Sequence, residues 1–339
     1  MDGKGDVLSV EGLAAVVIGR NEGSRLEASL RSVQAAGLRC VYVDSGSTDG
    51  SPDMAREFGV RLVQLDASRP YSAARGRNEG LREALRCWSD VLYVLFLDGD
   101  CVVEPDFPKA AVTALIQNPK RAVVTGHLSE RSPESSIYNR MCAIEWRSPA
   151  GPIENMNALG GIMVIRASAF LDAGGFNETA IAGEEADLGV RLGLAGYSAI
   201  KVDRAMATHD AGMHRFGQWW TRAVRNGHSL AHRYATHGRT RFKDGQRGLR
   251  SAIFWGFVLP ATALLLIWPT RGFSLLLLLA AYGLLGWRIY RHYSRQGQVK
   301  SDALLMARFL VCAKFAEFLG AVRYCINRLR GKFHIIEWK

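Results

Sequence analysis

Residues Val91–Cys101 read VLYVLFLDGDC. From Val91 to Leu97 the run is leucine, β-branched and aromatic throughout, the pattern of a strand buried on both faces of a parallel sheet. Asp98 and Asp100 stand where that strand should end. Ligands of open α/β sheets bind at the carboxyl ends of strands. Two carboxylates so close repel each other unless something positive lies between them. The bland reading of the pair is a capped turn leading into a helix after Pro105.

The segments on either side support a parallel sheet. Ala14–Ile18 reads as a short strand, Ser24–Val33 has helical spacing behind a possible Ser24 cap, and Cys40–Val43 is a second strand ending at Asp44. A helix near Pro52–Phe58, a strand at Arg61–Leu65 and a helix at Ala73–Cys87 lead into the opening stretch. Such alternation predicts helices on both faces of the sheet. Beyond it the pattern is less regular, with strands near Ala122–Thr125 and Gly161–Ile165 and a helix over about Ala186–Ala195.

The chain has 339 residues and a formal net charge of +11, much of it late in the sequence. Basic residues are dense from Arg215 to Arg250 and recur at Arg288, Arg291, Arg295, Arg323, Arg328, Arg330 and Lys332. No RNA-recognition, helix-turn-helix or zinc-finger signature accompanies them, so the charge points to a membrane surface and not to nucleic acid. The six cysteines, Cys40, Cys87, Cys101, Cys142, Cys312 and Cys325, have no paired spacing and suggest reduced thiols in a cytosolic setting. The N-terminal MDGKGDVLSVEGLAAVVIG does not read as a secretory signal.

After Arg250 the composition changes. Ile253–Trp268 and Phe273–Trp287 are uncharged and joined by PTRG. Each is at the short end of the roughly 17–25 residues that span a bilayer, so two spans and a shallow re-entrant hairpin both fit. Arginines flank the pair at 247, 250, 288 and 291, which by the positive-inside rule puts both flanks in the cytoplasm. The bland reading is a buried hairpin of a soluble domain, although neither segment shows a polar face. Ala303–Tyr324 carries charges all round the helical wheel and suits an interfacial helix or one packed on the hairpin.

Two further strand ends run into small polar turns, Gly19–Ser24 (GRNEGS) and Asp44–Ser51 (DSGSTDGS). Such turns suit the base and ribose of a nucleotide, and they are also ordinary loop chemistry. A G-x-G-x-x-G fingerprint occurs at neither turn, which disfavours a dinucleotide-binding dehydrogenase.

Taken in order, VVIGRNEGSRLEASLRSV, VYVDSGSTDGS, SAARGRNEGL, FLDGDCVVEPDF, GGIMVIRASAFLDAGGFNE and GEEADLGVRLGLAGY resemble the successive motifs of family 2 glycosyltransferases over roughly Ala14–Tyr197. The resemblance implies an α/β fold of GT-A type: a Rossmann-like, mostly parallel sheet flanked by helices, here followed by a C-terminal helical membrane hairpin. It implies a nucleotide-sugar donor, a divalent metal (Mg²⁺ or Mn²⁺) and usually inversion at the anomeric carbon. The position matching Asp98 contacts the nucleoside, and the one matching Asp100 binds the metal. A hard cation there would bridge carboxylate and diphosphate. Asp44 matches the acidic residue that reads the nucleobase, followed here by Ser45 where relatives have a second aspartate. Arg20, Asn21 and Glu22 of the first turn, with Arg75, Arg77 and Asn78, complete the expected donor-binding set. An arginine in that segment suits a phosphate or the face of a base.

GEEADL, Gly183–Leu188, matches the stretch that supplies the catalytic base. Aligning Asp187 with the family's last aspartate puts Glu185 at the base position, where most relatives have Asp, and Glu184 competes for the role. Acidic residues stabilising a helix N-terminus are the alternative. Asp187, Trp219, Trp220 and Arg222 are the expected acceptor-side residues, with a place at the membrane interface as the alternative for the two tryptophans. Gln218, Trp219, Trp220 and Arg222 share the content but not the order of the Gln-x-x-Arg-Trp motif of processive synthases, which favours transfer of a single sugar. His209 resembles the third metal ligand of several such transferases, and a lone histidine is as often structural.

The sequence therefore predicts a hexosyltransferase-type enzyme with a catalytic domain over 1–212, basic amphipathic connecting helices over 213–250 and a membrane hairpin with an interfacial helix over 251–339. Its expected substrates are a nucleotide sugar and a lipid-linked or envelope-polysaccharide precursor. Its expected place is the inner membrane, catalytic domain toward the cytoplasm. The rival readings are a sugar nucleotidyltransferase, whose glycine-rich basic loop is not evident in GRNEGS, and a non-catalytic membrane scaffold.

Overall fold

The computed structural model describes residues 10–331. Residues 1–9 and 332–339, with the parts of the N-terminal and hairpin expectations that fall on them, lie outside the described residues. The chain forms two compact units. One holds the residues up to Arg131, Trp146–Thr179 and Glu184–Ala211, and the other holds Ser132–Glu145, Ala180–Gly183 and the chain from Gly212 onward.

The first unit is built on strands β1 (Leu13–Gly19), β2 (Arg39–Asp44), β3 (Arg61–Gln64) and β4 (Tyr93–Asp98), linked by helices α1 (Ser24–Ala35), α2 (Ser51–Glu57) and α3 (Ala73–Cys87). The β1, β2, β3 and β4 strands pair in parallel. Next come β5 (Cys101–Val103), α4 (Phe107–Ile116), β6 (Arg121–Glu130) and α5 (Ile137–Glu145), the last belonging to the second unit. The first unit continues with β7 (Gly151–Pro152), β8 (Met163–Arg166), α6 (Ala167–Asp172), α7 (Glu184–Leu194) and β9 (Ser198–His209). The sheet order is β3-β2-β1-β4-β8-β6-β9-β5, with β7 beside β9. From β8 outward the sheet is mixed. β8 runs antiparallel to both β4 and β6, β9 runs parallel to β6, and β5 and β7 run antiparallel to β9.

Burial explains the unbroken apolar run at β4, where Val94, Leu95, Phe96 and Leu97 are all completely buried. One face of the sheet packs Ala15, Val17, Leu95 and Leu97 with Leu26 and Leu30 of α1 and Phe107 and Leu115 of α4. The other face receives α3 at close range, because Gly76 and Gly80 meet it: a Cβ on Gly80 would lie 2.2 Å from Val16 Cγ1. Gly23, and not Ser24, precedes α1, and its N–H donates to Asp49 Oδ2 at 2.9 Å.

The second unit is helical: α8 (Phe216–His237), α9 (Gln246–Ile253), a π-helical turn (Phe254–Val258), α10 (Leu259–Leu265), α11 (Phe273–Arg295) and α12 (Lys300–Arg330). The π turn precedes Pro260, whose missing N–H disturbs the helical ladder. α8 and α12 cross on glycines. A Cβ on Gly227 would lie 1.9 Å from Glu317 O, and one on Gly320 would lie 2.0 Å from Val224 O. Two helical stretches, Gln246–Leu265 and Phe273–Arg295, are long and apolar enough to cross a membrane. Their side chains are not core: Leu264 is 60% exposed, Leu265 81% and Leu279 67%. A buried hairpin of a soluble domain would have hidden them.

Candidate active site

The register of the parallel strands sets the site. Gly19 of β1 pairs with Asp44 of β2, and Ile18 pairs with Asp98 of β4, so three strand ends open on one edge. The turns that follow β1 and β2 clasp each other. Asn21, in the left-handed region at φ 56°, donates its N–H to Ser47 Oγ at 2.9 Å, and its Oδ1 accepts from Thr48 N at 2.7 Å. Asp44 is buried, and its carboxylate accepts from Tyr42 Oη at 3.1 Å and from the Gly46 and Ser47 amides at 3.0 and 2.9 Å. It shapes its own turn. Glu22 pairs with Arg25 at 2.8 Å, and its Cγ is close to Gly99: a Cβ on that glycine would lie 3.2 Å from it. Arg20 is exposed, with its guanidinium over the Tyr71 ring at 5.6 Å.

A second cluster centres on Arg77, which α3 delivers beneath the edge. Arg77 Nη2 donates to Asp98 Oδ1 at 2.8 Å and Nη1 to Glu184 Oε1 at 2.9 Å, while Glu185 Oε1 lies 3.8 Å from Nη1. Glu184 and Glu185 open α7, where helix-terminal N–H groups favour negative charge. Burial works against the Arg77 charge, but Asp98, Glu184 and Glu185 outweigh it and hold the guanidinium above its ordinary range. Burial, and after it the charge of Glu184, pushes the Glu185 carboxyl up to about 7, against the pull of Arg77. Gly161 closes the other side of the cluster, since a Cβ there would lie 2.5 Å from Arg77 Nη2 and 3.1 Å from Glu185 Oε1.

The third cluster forms where β5 meets β9. Cys101 pairs with His209 across the strands, and Glu130 of β6 pairs with His209 from the other side. His209 Nε2 is 3.4 Å from Asp100 Oδ1, and Nδ1 is 3.9 Å from Glu130 Oε2. Trp146 sits edge-on against the imidazole at 4.8 Å. One ligand atom each from Asp100, Cys101 and His209 lies within 4.8 Å of the others. A carboxylate and an imidazole suit Mn²⁺, and the carboxylate suits Mg²⁺. The Cys101 thiol, 3.3 Å from Asp100 Oδ1, is the soft member of the group.

The remaining expected residues hold other parts of the fold. Arg75 is buried and donates to the carbonyls of Asp66 and Arg69, both at 2.9 Å. Asn78 donates to Phe176 O at 2.9 Å and accepts from Phe176 N at 2.9 Å. Asp187 is ion-paired with Arg191 at 2.7 Å, one helical turn on. In the helical unit Trp219 is buried edge-on against Phe309 at 4.8 Å, Trp220 stands beside it, and Arg222 pairs with Glu145 at 2.8 Å. Glu130, Trp146 and Cys101 were not singled out by sequence. Only the position of Cys101 directly after Asp100 offered a signal.

A sheet edge with an Asp-x-Asp pair at the end of its central strand, faced by a carboxylate-bearing helix start, defines the GT-A class of nucleotide-sugar transferase folds. Residues 15–171 match the family model of glycosyl transferase family 2. It is 26% identical over 217 residues to a poly-beta-1,6-N-acetyl-D-glucosamine synthase of Staphylococcus epidermidis, covering 60% of this chain and 51% of that protein. A synthase of the same name from Staphylococcus aureus is 25% identical over 205 residues, covering 57% and 48%. The chain thus spans about half the length of the curated relatives it matches. Among solved structures it is similar in fold to a mannosyltransferase of Pyrobaculum calidifontis in complex with GDP-Man and Mn²⁺, with a TM-score of 0.57 at 18% identity over 94% of this chain and 88% of the other.

Proposed function

We propose that this protein is a metal-assisted, inverting glycosyltransferase that adds a single sugar from a nucleotide-sugar donor to a lipid-linked or envelope-polysaccharide precursor. The observation that carries the reading is the convergence of Asp98, Asp100, His209 and Glu185 on one edge of the sheet. Glu185 is the base. It takes the proton of the acceptor hydroxyl as that oxygen bonds to the anomeric carbon and the bond to the nucleoside diphosphate breaks. Asp100 and His209 would hold the divalent cation, which when bound supplies positive charge for the departing diphosphate. The clasped turns at Asn21 and Asp44 form the floor for the nucleoside.

The names of the relatives make an N-acetylglucosaminyl donor the first to test. The order of Gln218, Trp219, Trp220 and Arg222 favours one addition over polymerisation. The exposed apolar helices anchor the protein in the inner membrane with the catalytic unit toward the cytoplasm, where its basic flanks face anionic lipid. The test is a panel of UDP- and GDP-linked sugars with Mg²⁺ or Mn²⁺, following release of nucleoside diphosphate and transfer to lipid extracted from the source membranes. One donor should be turned over in a metal-dependent way. Failure to bind or turn over any donor with either metal would favour the scaffold reading.

A further inference from the structure

The family motif invites an arginine at position 77 to reach for the donor, yet its surroundings leave it no room to do so. Arg77 is 2% exposed. α3 lies tight against β1 and β2 through Gly76 and Gly80, which fixes where the side chain emerges. Nη2 is used by Asp98 and Nη1 by Glu184, and Phe176 covers the guanidinium at 5.5 Å. Gly161 lies on the Nη2 side, where a Cβ would come within 2.5 Å of that nitrogen.

We infer that Arg77 is a positioning residue: its fork ties the end of β4 at Asp98 to the start of α7 at Glu184, and so leaves Glu185 as the carboxylate free to accept a proton. The inference rests on the reading of Glu185 as base. Two adjacent glutamates of equal intrinsic chemistry are divided by one guanidinium. The one that receives a short charged hydrogen bond, Glu184, has its oxygen engaged by Nη1 at 2.9 Å. Its neighbour, 3.8 Å from Nη1, keeps its basicity. The charged groups that act on Glu185 are Glu184 of its own helix, Arg77 of α3 and Asp98 of β4. Their signs predict opposite effects from removing Glu184 and removing Arg77. Without the Glu184 charge Glu185 loses a repulsive neighbour and gains access to Nη1. Without the guanidinium it is left among anions.

The experiment follows the protonated-carboxyl infrared band of Glu185, identified by its loss in Glu185→Gln, across pH in the full-length protein, alongside the pH dependence of kcat/KM. Glu184→Gln should move the midpoint down by about one pH unit, and Arg77→Met should move it up by a similar amount. If Arg77→Met fails to fold, Glu184→Gln decides alone, since it keeps the shape of the side chain and removes only its charge. A midpoint that stays put in Glu184→Gln, or moves the same way in both variants, overturns the inference. Loss of donor affinity in Arg77→Met with the Glu185 band unmoved would also overturn it and return Arg77 to the donor. If the band shifts as expected while transfer ignores it, the clamp stands and the assignment of Glu185 as base fails.

Discussion

Replacing Glu185 by Gln removes a proton acceptor while changing little else. The amide has nearly the same shape, and the hydrogen bonds from Arg77 to Asp98 and Glu184 do not involve it. A positioned general base contributes about 10²–10⁴-fold, equivalent to about 3–5 kcal/mol of barrier. The loss should fall on kcat, with donor and metal affinity nearly intact. The wild-type profile adds a second signature. A base must be deprotonated to act, so with the carboxyl raised to about 7, transfer should climb tenfold per pH unit on the acid side and level off above that value. The limb should vanish in Glu185→Gln. Stability has the opposite slope: a carboxyl raised in the folded state favours folding most at low pH, and that contribution fades from its ordinary 4.5 up to about 7. The thermal midpoint of the wild type should therefore fall relative to Glu185→Gln across that window. Glu185→Asp should recover only part of the activity, because the shorter side chain sits in a site shaped for the longer one. Transfer to extracted acceptor, with donor affinity by calorimetry in parallel, is the assay. If Glu184→Gln is the more damaging change at unchanged donor affinity, the base is Glu184.

Asp100→Asn, which removes an anionic oxygen beside His209, should abolish metal-dependent donor binding with the fold retained; Mn²⁺ titration followed by electron paramagnetic resonance would show whether the pair is only a turn. Gly227→Ala forces a methyl toward Glu317 O at the α8–α12 crossing, and should cost about 1–3 kcal/mol; an unchanged thermal midpoint would mean that the crossing is looser than described. The full-length protein should remain in the membrane fraction after a wash with about 1 M salt, which screens charge but not apolar burial; release by salt alone would reduce the anchor to its basic residues.

The parallel half of the fold was legible because β1, β2 and β4 are buried on both faces. β4 shows this best, its uninterrupted apolar run ending in the two aspartates. β9 was not legible. Lys201, Asp203 and Arg204 interrupt Ser198–His209, and its pairing with β6 tolerates register shifts, so no simple alternation marks it. Yet that strand brings His209 to Asp100, and the neighbours His209 meets there, Glu130 of β6 and Trp146, are set by long-range contact and not by local pattern. Arg77 illustrates a different limit. Its motif marked a functional neighbourhood, but spacing along a helix does not show which of several nearby anions a guanidinium will meet. In sequence only the alignment through Asp187 set Glu185 ahead of Glu184; in the structure their distances to Nη1 separate them.

The clasp between the first two turns has a consequence for re-engineering the protein. Asn21 exchanges hydrogen bonds with Ser47 and Thr48, and Gly23 is held by Asp49. Neither turn is a module in its own right. A graft of Asp44–Ser51 lacking Ser47 and Thr48 would strand Asn21 in a left-handed backbone conformation without the contacts that hold it there. The two turns form a single cassette split across the chain, to be exchanged together or left alone.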